Sequence, residues 1–92
     1  EPLVDVSTDE KEGTVKVVVE MPGADKDSIK VNATEDHVTV TANNSGKPYN
    51  AEIPLNVEVE PGTADASYTN GILQVIFKKK ETKPKGVDVQ VK

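Results

Sequence analysis

The stretch Ala66-Ser-Tyr-Thr-Asn-Gly-Ile-Leu-Gln-Val-Ile-Phe77 decides the fold of this 92-residue chain. A strand-like run over residues 64–69 meets Asn70-Gly71, and the most apolar run of the sequence, residues 72–77, follows. Asn-Gly between two β-prone runs predicts a hairpin, because both central residues of a type I′ turn need positive φ. Only Gln74 is polar within 72–77, and a strand that is apolar on both faces is usually covered on both faces. The stretch therefore predicts the buried centre of a β-domain.

Short alternating runs separated by turn residues occupy most of the remaining chain. The predicted strands cover residues 1–7, 14–20, 28–34, 37–42, 52–60, 64–69 and 72–77, and residues 87–91 alternate in the same way. Pro54 either splits the run over 52–60 or places the start of that run at a sheet edge. Residues 43–48 read as a loop, and Pro61-Gly62 reads as a turn. No window shows helical periodicity, and many short strands with frequent turn signals indicate an antiparallel β-sandwich or barrel.

Composition narrows the function classes. The net charge is −5 and all eleven cations are Lys; the acidic balance and the missing Arg argue against nucleic-acid binding. Cys is absent, which is compatible with a reducing cytoplasm, and no apolar run approaches the ~18 residues of a membrane span. We expect a cytoplasmic domain that binds neither nucleic acid nor a membrane. Because the chain starts at Glu1, we expect a piece of a longer protein whose N-terminal segment is missing.

Residues suited to catalysis are sparse. His37 is the only His, and it lies on the polar face of a predicted strand, where a solvated surface role is the ordinary one. No Cys is available as a nucleophile, the glycines are isolated, and the carboxylates are scattered through turns and solvent faces. The sequence predicts no catalytic, cofactor or metal site, and therefore a protein that is not an enzyme.

The C-terminal segment has a pattern of its own. Residues 78–86 contain no apolar side chain and read as a linker, after which Val87, Val89 and Val91 alternate with polar residues. This segment is either a disordered tail or a strand that docks on a sheet edge of its own or a neighbouring chain. Burying three Val contributes about 1.5–3 kcal/mol each, whereas ordering the segment costs about 1–2 kcal/mol per residue. We therefore expect a β-domain over 1–80, and a linker and extension over 81–92 whose contacts are weak and reversible.

Several short motifs follow one another in a set order. The most specific is Ala66-x-x-x-Asn70-Gly71-Ile72-Leu73, and Val89-x-Val91 closes the series. Weaker motifs are Pro2-x-Val4-Asp5-Val6, Glu20-Met21-Pro22-Gly23 with Ser28-Ile29-Lys30-Val31, and Ile53-Pro54-x-x-Val57. In type and order they resemble the α-crystallin domain of small heat shock proteins, which carries Ala-x-x-x-Asn-Gly-Val-Leu and a C-terminal Ile-x-Ile/Val.

The resemblance implies an immunoglobulin-like antiparallel β-sandwich that serves the stress response as an ATP-independent chaperone (holdase). Such a protein needs no cofactor, binds partly unfolded clients, and self-associates into dimers and larger homo-oligomers. The tail motif of one subunit docks between two edge strands of another, which correspond here to residues 28–34 and 64–69. The groove residues carried over by position are Ile29, Val31, Ala64 and Ala66.

Two departures from the family pattern bear on assembly. Only residues 43–52 stand where many members insert a longer loop with a strand that swaps between dimer partners, and no Arg precedes Ile53-Pro54. Two alternatives remain at this stage: a co-chaperone of the CS-domain type, which shares the sandwich, and an extracellular immunoglobulin-like adhesion module. The Ala66–Leu73 motif and the Val-x-Val tail speak against the first, and the absence of Cys and Trp against the second.

Overall fold

The computed structural model describes residues 3–81 and 87–92 of the chain. In this part the elements are β1 (Leu3–Asp9), β2 (Thr14–Glu20), a 3-10 helix (Lys26–Ser28), β3 (Lys30–Ala33), β4 (His37–Asn44), β5 (Lys47–Pro54), β6 (Val59–Thr69) and β7 (Ile72–Lys79). Within the described residues the 3-10 turn is the only helical segment, so the all-β prediction is confirmed.

The strands form two antiparallel sheets. One has the order β1-β2-β7-β6 and the other the order β3-β4-β5. β7 lies inside the larger sheet, where Val75 pairs with Val17 of β2 on one side and with Ala66 of β6 on the other. The predicted immunoglobulin-like sandwich is confirmed, with the apolar run after Asn70-Gly71 as a central strand.

The core follows from the alternation of side chains along the strands. On β2 the inward residues are Val15, Val17 and Val19, and on β7 they include Val75 and Phe77. The smaller sheet supplies Val38, Val40, Ala42, Ala51 and Ile53. Because aliphatic side chains make up almost the whole core, burial of β-branched Val against Val is the main source of cohesion between the sheets.

Two hairpins have the backbone geometry of tight turns. Asn70 and Gly71 have φ of 53° and 80°, as predicted. Ser45 and Gly46 have φ of 50° and 81° and join β4 directly to β5. The prediction of a loop over residues 43–48 is therefore wrong, because both strands continue to this two-residue turn. Residues 43–52 lie entirely within β4, the turn and β5, with no additional strand among them.

The run over residues 52–60 is split at Pro54, which is one of the two outcomes predicted for this proline. β5 ends at Pro54, and β6 begins only at Val59. The connection crosses between the sheets and is held by two hydrogen bonds, from Leu55 N to Asp36 O and from Val59 N to Glu35 O, each 2.8 Å. Proline cannot donate to a strand ladder, so the alternating side chains that continue past Pro54 belong to a crossover.

The predicted turn at Pro61-Gly62 lies inside β6. The register shifts between the pairs Glu60–Lys78 and Asp65–Ile76, so residues 61–64 bulge out of the ladder. The Thr63 hydroxyl bridges the gap, because it accepts from Lys78 N at 2.8 Å and donates to Glu60 O at 2.6 Å. Turn residues thus bend the edge strand without ending it.

The predicted start of the strand over 28–34 is replaced by the 3-10 turn. The Asp25 carboxylate accepts from Asp27 N at 3.2 Å, and Ile29 N donates to Lys26 O at 3.2 Å. These local bonds compete with a ladder, so strand β3 begins at Lys30.

The predictions for the two ends of the chain are tested only in part. Residues 1–2 and 82–86, which belong to the predicted first strand and linker, lie outside the described residues. Residues 87–91 form no strand in the described chain, and the docking of this segment on a sheet edge stays a prediction. Val87, Val89 and Val91 are 81%, 83% and 92% exposed.

Candidate functional site

An open groove runs between the two edge strands β3 and β6, where the sheets come together on one side of the sandwich. It encloses about 330 Å³ and is lined by Lys26, Ile29, Val31, Ala66, Ser67, Tyr68, Thr69 and Leu73. Ile29, Val31, Ala66 and Leu73 supply its apolar surface, and Lys26 is the only charged residue among those lining it. No described strand pairs with the outer side of β6, so in this part of the chain its backbone groups there are available to an added strand.

The register of β6 shows which of its side chains face the groove. Ala66 pairs with Val75 and Tyr68 with Leu73, so both lie on the inner face of their sheet. Ile29 and Val31 are half-buried and pack against the same core from the other sheet. The groove is therefore the uncovered margin of the hydrophobic core, accessible from one side.

Tyr68 is held in place as a wall of the groove. Its hydroxyl donates to Met21 O at 2.6 Å, while Met21 N donates to Gly71 O at 2.7 Å. Gly71 also approaches Pro22 so closely that an added Cβ would lie 3.1 Å from Pro22 Cα. The 21–22 segment thus couples the β6–β7 hairpin to the groove wall.

The two ends of the groove can be told apart. At the hairpin end, the contacts of Tyr68 and Gly71 place the Met21–Asp25 connection beside the end of β6, and Lys26 follows directly. At the far end, Glu35 accepts a hydrogen bond from Val59 N at the start of β6. β3 and β6 therefore run in opposite directions along the groove.

Lys80 and Glu35 form an ion pair at the far end of the groove. The Lys80 ammonium donates to the Glu35 carboxylate, and this hydrogen bond raises the pKa of Lys80 above its ordinary value. The contact links the end of β7 to the connection between β3 and β4. Because both groups are exposed, it contributes little to stability, but it marks where the chain leaves the sandwich.

The predicted groove residues divide in a simple way. Ile29, Val31 and Ala66 lie together in the groove, whereas Ala64 lies in the bulge and is not among the lining residues. Sequence reasoning missed Lys26, Ser67, Tyr68 and Thr69. Pairing the two predicted strands across Asn70-Gly71 would have placed Tyr68 opposite Leu73, and hence facing inwards.

The opposite side of the sandwich, formed by β1 and β5, is built differently. Val4 and Val6 pair with Val19 and Val17 and share their inner face, yet they are 41% and 39% exposed because the three-stranded sheet leaves the fourth strand partly uncovered. β5 carries Pro48 and Pro54. Because proline has no backbone N–H, this edge strand lacks a donor at these two outward positions.

Within 3–81 and 87–92, no group of three or more His, Cys, Asp or Glu side chains is placed to hold a metal ion. His37 Nε2 lies 2.7 Å from Glu52 Oε1. The two side chains form an exposed pair on the solvent face of β4 and β5. In the described part of the chain, no helix has the length and apolar character to cross a membrane.

Comparison with known proteins agrees with this architecture. The structure of heat shock protein 16.0 from Schizosaccharomyces pombe is similar, with a TM-score of 0.74 and 21% identity, covering 100% of this chain and 98% of that one. HSP18.5 from E. histolytica gives a TM-score of 0.76 and 22% identity, covering 98% and 97%. No curated protein sequence matches the chain. The Hsp20/alpha crystallin family matches residues 7–92, and the chain therefore belongs to this family, that of the small heat shock proteins.

Proposed function

We propose that the chain is the assembly core of an ATP-independent chaperone, a holdase that binds partly unfolded proteins and prevents their aggregation. In this proposal residues 1–80 form the sandwich and residues 81–92 form a linker and a docking tail. The observation that carries the proposal is the apolar groove beside an unpaired strand edge, in a chain that also exposes a Val-x-Val-x-Val segment. Contiguous exposed apolar surface of this kind is typical of interaction sites.

The groove suits an extended peptide. Ile29 and Val31 on one wall, and Ala66 and Tyr68 on the other, are each two residues apart. An added strand presents a side chain to one face every ~7 Å, so Val89 and Val91 match this spacing. Main-chain hydrogen bonds to β6 would supply affinity that is indifferent to client sequence.

Tail docking and client binding then compete for related surfaces. The tail covers the groove in the assembled state, and its release on heating exposes apolar side chains to unfolding proteins. Weak individual contacts are sufficient because an oligomer repeats them many times. No nucleotide is needed, since exchange follows from the small net free energy of each docked tail.

Heat-induced aggregation of a model client tests the holdase activity directly. The chain at equal mass is expected to delay and reduce light scattering by the client, with an inert protein of the same size as control. Undiminished scattering would contradict the proposed activity.

Native mass tests tail docking. Val89→Asp together with Val91→Asp is expected to reduce self-association, because two carboxylates cannot enter the apolar groove without a large desolvation cost. Gln90→Asp is the matched control: it adds a carboxylate to the same segment on the alternate face and is expected to have a much smaller effect. An unchanged mass for the Val variant would refute docking through these residues.

A further inference from the structure

The outer edge of β1 is open along its whole length. All seven residues of β1 pair with β2, and no described strand pairs with the other side of β1. Val4 and Val6 on its inner face are half-exposed, because the three-stranded sheet leaves this strand partly uncovered. Unlike β5, β1 contains no proline, so no backbone donor is missing from it.

The register of the larger sheet shows which backbone groups of β1 point outwards. Met21 N donates to Gly71 O and Gly13 O accepts from Lys79 N, so the odd-numbered residues along β2 face β7. Backbone groups alternate from side to side along an antiparallel strand, and the even-numbered residues of β2 therefore face β1. Their partners in β1 are the odd-numbered residues. The N–H and C=O groups of the even-numbered residues, Val4, Val6 and Thr8, are thus directed away from the sheet.

We propose that β1 pairs with the β1 strand of a second copy of the chain, antiparallel and with Val6 on the two-fold axis. The two four-stranded sheets then join edge to edge into one continuous sheet. A two-fold contact of this kind uses the same surface of both copies. The inference goes beyond the proposed holdase activity and tail docking, because it uses neither the groove nor the tail.

The strand is complementary to itself in this register. With Val6 on the axis, Val4 lies opposite Thr8 of the second copy and Asp5 lies opposite its Ser7. Leu3 and Asp9 meet at the two ends, so all seven residues of β1 are paired. The outward N–H and C=O groups of Val4, Val6 and Thr8 face the same three positions of the second copy. Each of these donors therefore has a carbonyl opposite.

The charges of β1 exclude the neighbouring registers. Moving the axis to Asp5 brings two copies of this carboxylate directly opposite each other, and moving it to Ser7 brings Asp5 opposite Asp9. Like charges directly across two strands destabilise the pair. A register with the axis between two residues would place inner-face side chains opposite outer-face ones. The register about Val6 alone combines full overlap with the absence of a like-charge pair.

The proposed pair also brings the exposed valines of both copies together. The two Val6 side chains lie directly opposite on the inner face, and each Val4 is the diagonal neighbour of Val6 in the second copy. Seven residues a side are far fewer than the roughly 20–30 of a standard interface. We therefore expect a weak dimer whose population rises with protein concentration.

Within residues 3–81, no other segment is free to fill this edge. Residues 43–52 are taken up by β4, its two-residue turn and β5, so they supply no strand for exchange. The half-exposed valines and the outward donors of β1 thus face solvent in a single copy. The C-terminal segment is the competing occupant, and the experiments below use variants that tell it from a second β1.

Cysteine cross-linking tests the position of the axis, because the chain has no Cys of its own. Only a residue on the two-fold axis lies opposite its own copy. For a hydrogen-bonded pair the Cα atoms are ~5.5 Å apart, within disulfide reach. The Val6→Cys variant is expected to form a disulfide-linked dimer in an oxidising glutathione buffer at least ten times faster than Val4→Cys. Val4 is the matched control, since it is equally exposed on the same face but lies about 14 Å along the strands from its own copy.

Equal rates for the two variants, or a faster reaction of Val4→Cys, would overturn the inference. The cross-link of Val6→Cys should persist when Val89→Asp and Val91→Asp are added, because the tail takes no part in it. Loss of the cross-link in that background would show that the tail is required and would equally overturn the inference.

Charge substitution at Ser7 tests the same register in solution. Ser7 lies opposite Asp5 of the second copy, twice in each dimer. Dimerisation is measured by sedimentation equilibrium at low ionic strength, in the chain that carries Val89→Asp and Val91→Asp. Ser7→Lys is expected to tighten the dimer by about two- to ten-fold, and Ser7→Asp to weaken it by a similar factor. Within one copy Ser7 pairs with Lys16, so an effect through the stability of the fold would have the opposite sign.

Asn56→Lys and Asn56→Asp are the controls, because they change the net charge equally on the crossover between the sheets. They are expected to alter dimerisation much less than the Ser7 variants. An equal response at both positions, a reversed order at Ser7, or a chain that stays monomeric at its highest soluble concentration would each overturn the inference. None of these outcomes bears on the holdase activity, which the client-aggregation assay tests separately.

Discussion

The two sides of the sandwich both expose apolar side chains beside an edge strand, but their edge strands differ in how accessible they are to an added strand. On the β3/β6 side, the inner-face residues Ala66 and Tyr68 border an open groove, and β6 has a proline only within its bulge, at Pro61. On the β1/β5 side, Val4 and Val6 are also half-exposed, but β5 carries prolines at both ends. An edge attracts an added strand when apolar side chains and free N–H groups coincide. This coincidence is fullest along residues 65–69 of β6.

A single segment ties the two sides together. Tyr68 of β6 donates its hydroxyl hydrogen to Met21 O at 2.6 Å, and Tyr49 of β5 donates to Pro22 O at 3.3 Å. Both edge strands are thus anchored to the connection that leaves β2. The following variants compare the anchors and turns of the two sides.

The largest difference in stability between the two sides is expected when the hairpin glycines, Gly46 and Gly71, are replaced. Both have positive φ, which costs a residue with a Cβ about 1–2 kcal/mol. The Cβ of Gly46→Ala meets no atom within 4 Å, whereas that of Gly71→Ala lies 3.1 Å from Pro22 Cα. We expect urea unfolding to show a loss of about 1–2 kcal/mol for Gly46→Ala and about 2–3 kcal/mol for Gly71→Ala. Equal losses would show that the Pro22 contact does not constrain the groove-side turn.

Removal of the two tyrosine hydroxyls is expected to have a smaller effect. Tyr68→Phe loses a short, partly buried hydrogen bond and should cost about 1 kcal/mol. Tyr49→Phe should cost about half as much, because Asn44 Nδ2 continues to donate to Pro22 O at 2.9 Å. Thermal unfolding of both variants measures the difference, and a larger loss for Tyr49→Phe would reverse the assigned roles of the two anchors.

Replacing the β5 prolines should alter association more than stability. Leu55 N donates to Asp36 O, so the backbone N–H groups of odd-numbered β5 residues face β4. The backbone nitrogens of even-numbered residues, including Pro48 and Pro54, therefore face away from β4. Pro48→Thr with Pro54→Thr adds two outward N–H donors, and we expect a higher native mass with less than about 1 kcal/mol change in unfolding free energy. Asn50→Thr, which adds no donor on the same edge, is the control. If both proteins keep the wild-type mass, the prolines do not protect this edge.

The smallest expected effect is a change in the pKa of Glu52, which forms an exposed pair with His37 on the β1/β5 side. Hydrogen bonds from His37 and then Thr39 lower the pKa of Glu52 below its ordinary 4.5. A lowered pKa in the folded state stabilises the protein above the ordinary value, and this stabilisation is lost as pH falls through the folded pKa. NMR titration should show the Glu52 midpoint rising in His37→Ala, and rising less in Thr39→Val. An unshifted midpoint in His37→Ala would contradict the pairing.

How far the sequence predicts the candidate site depends on the range of the interactions. Asn70-Gly71 specifies its turn locally, because few residues tolerate positive φ, and Ile29, Val31 and Ala66 follow from motif positions. Ala64 does not, since a shift of register between Glu60 and Asp65 removes it from the groove. Ser45-Gly46 forms a turn of the same kind. The residues that flank it are polar, so the sequence pattern does not show that β4 and β5 continue up to this turn. The alternation of residues 52–60 continues across a crossover that only the bonds to Asp36 and Glu35 reveal.

The sequence by itself determined the strand content, the central position of residues 72–77, the Asn70-Gly71 turn and the alternating valines of the tail, because these depend on local backbone preference and on side-chain period. The tertiary structure alone decided that β3 and β6 border one groove and run in opposite directions, that Lys26 lines this groove, and that Tyr68 faces inwards. Those features depend on how two sheets pack and on the bulge in β6, which bring together residues that are distant in the chain and carry no local sign of their contact.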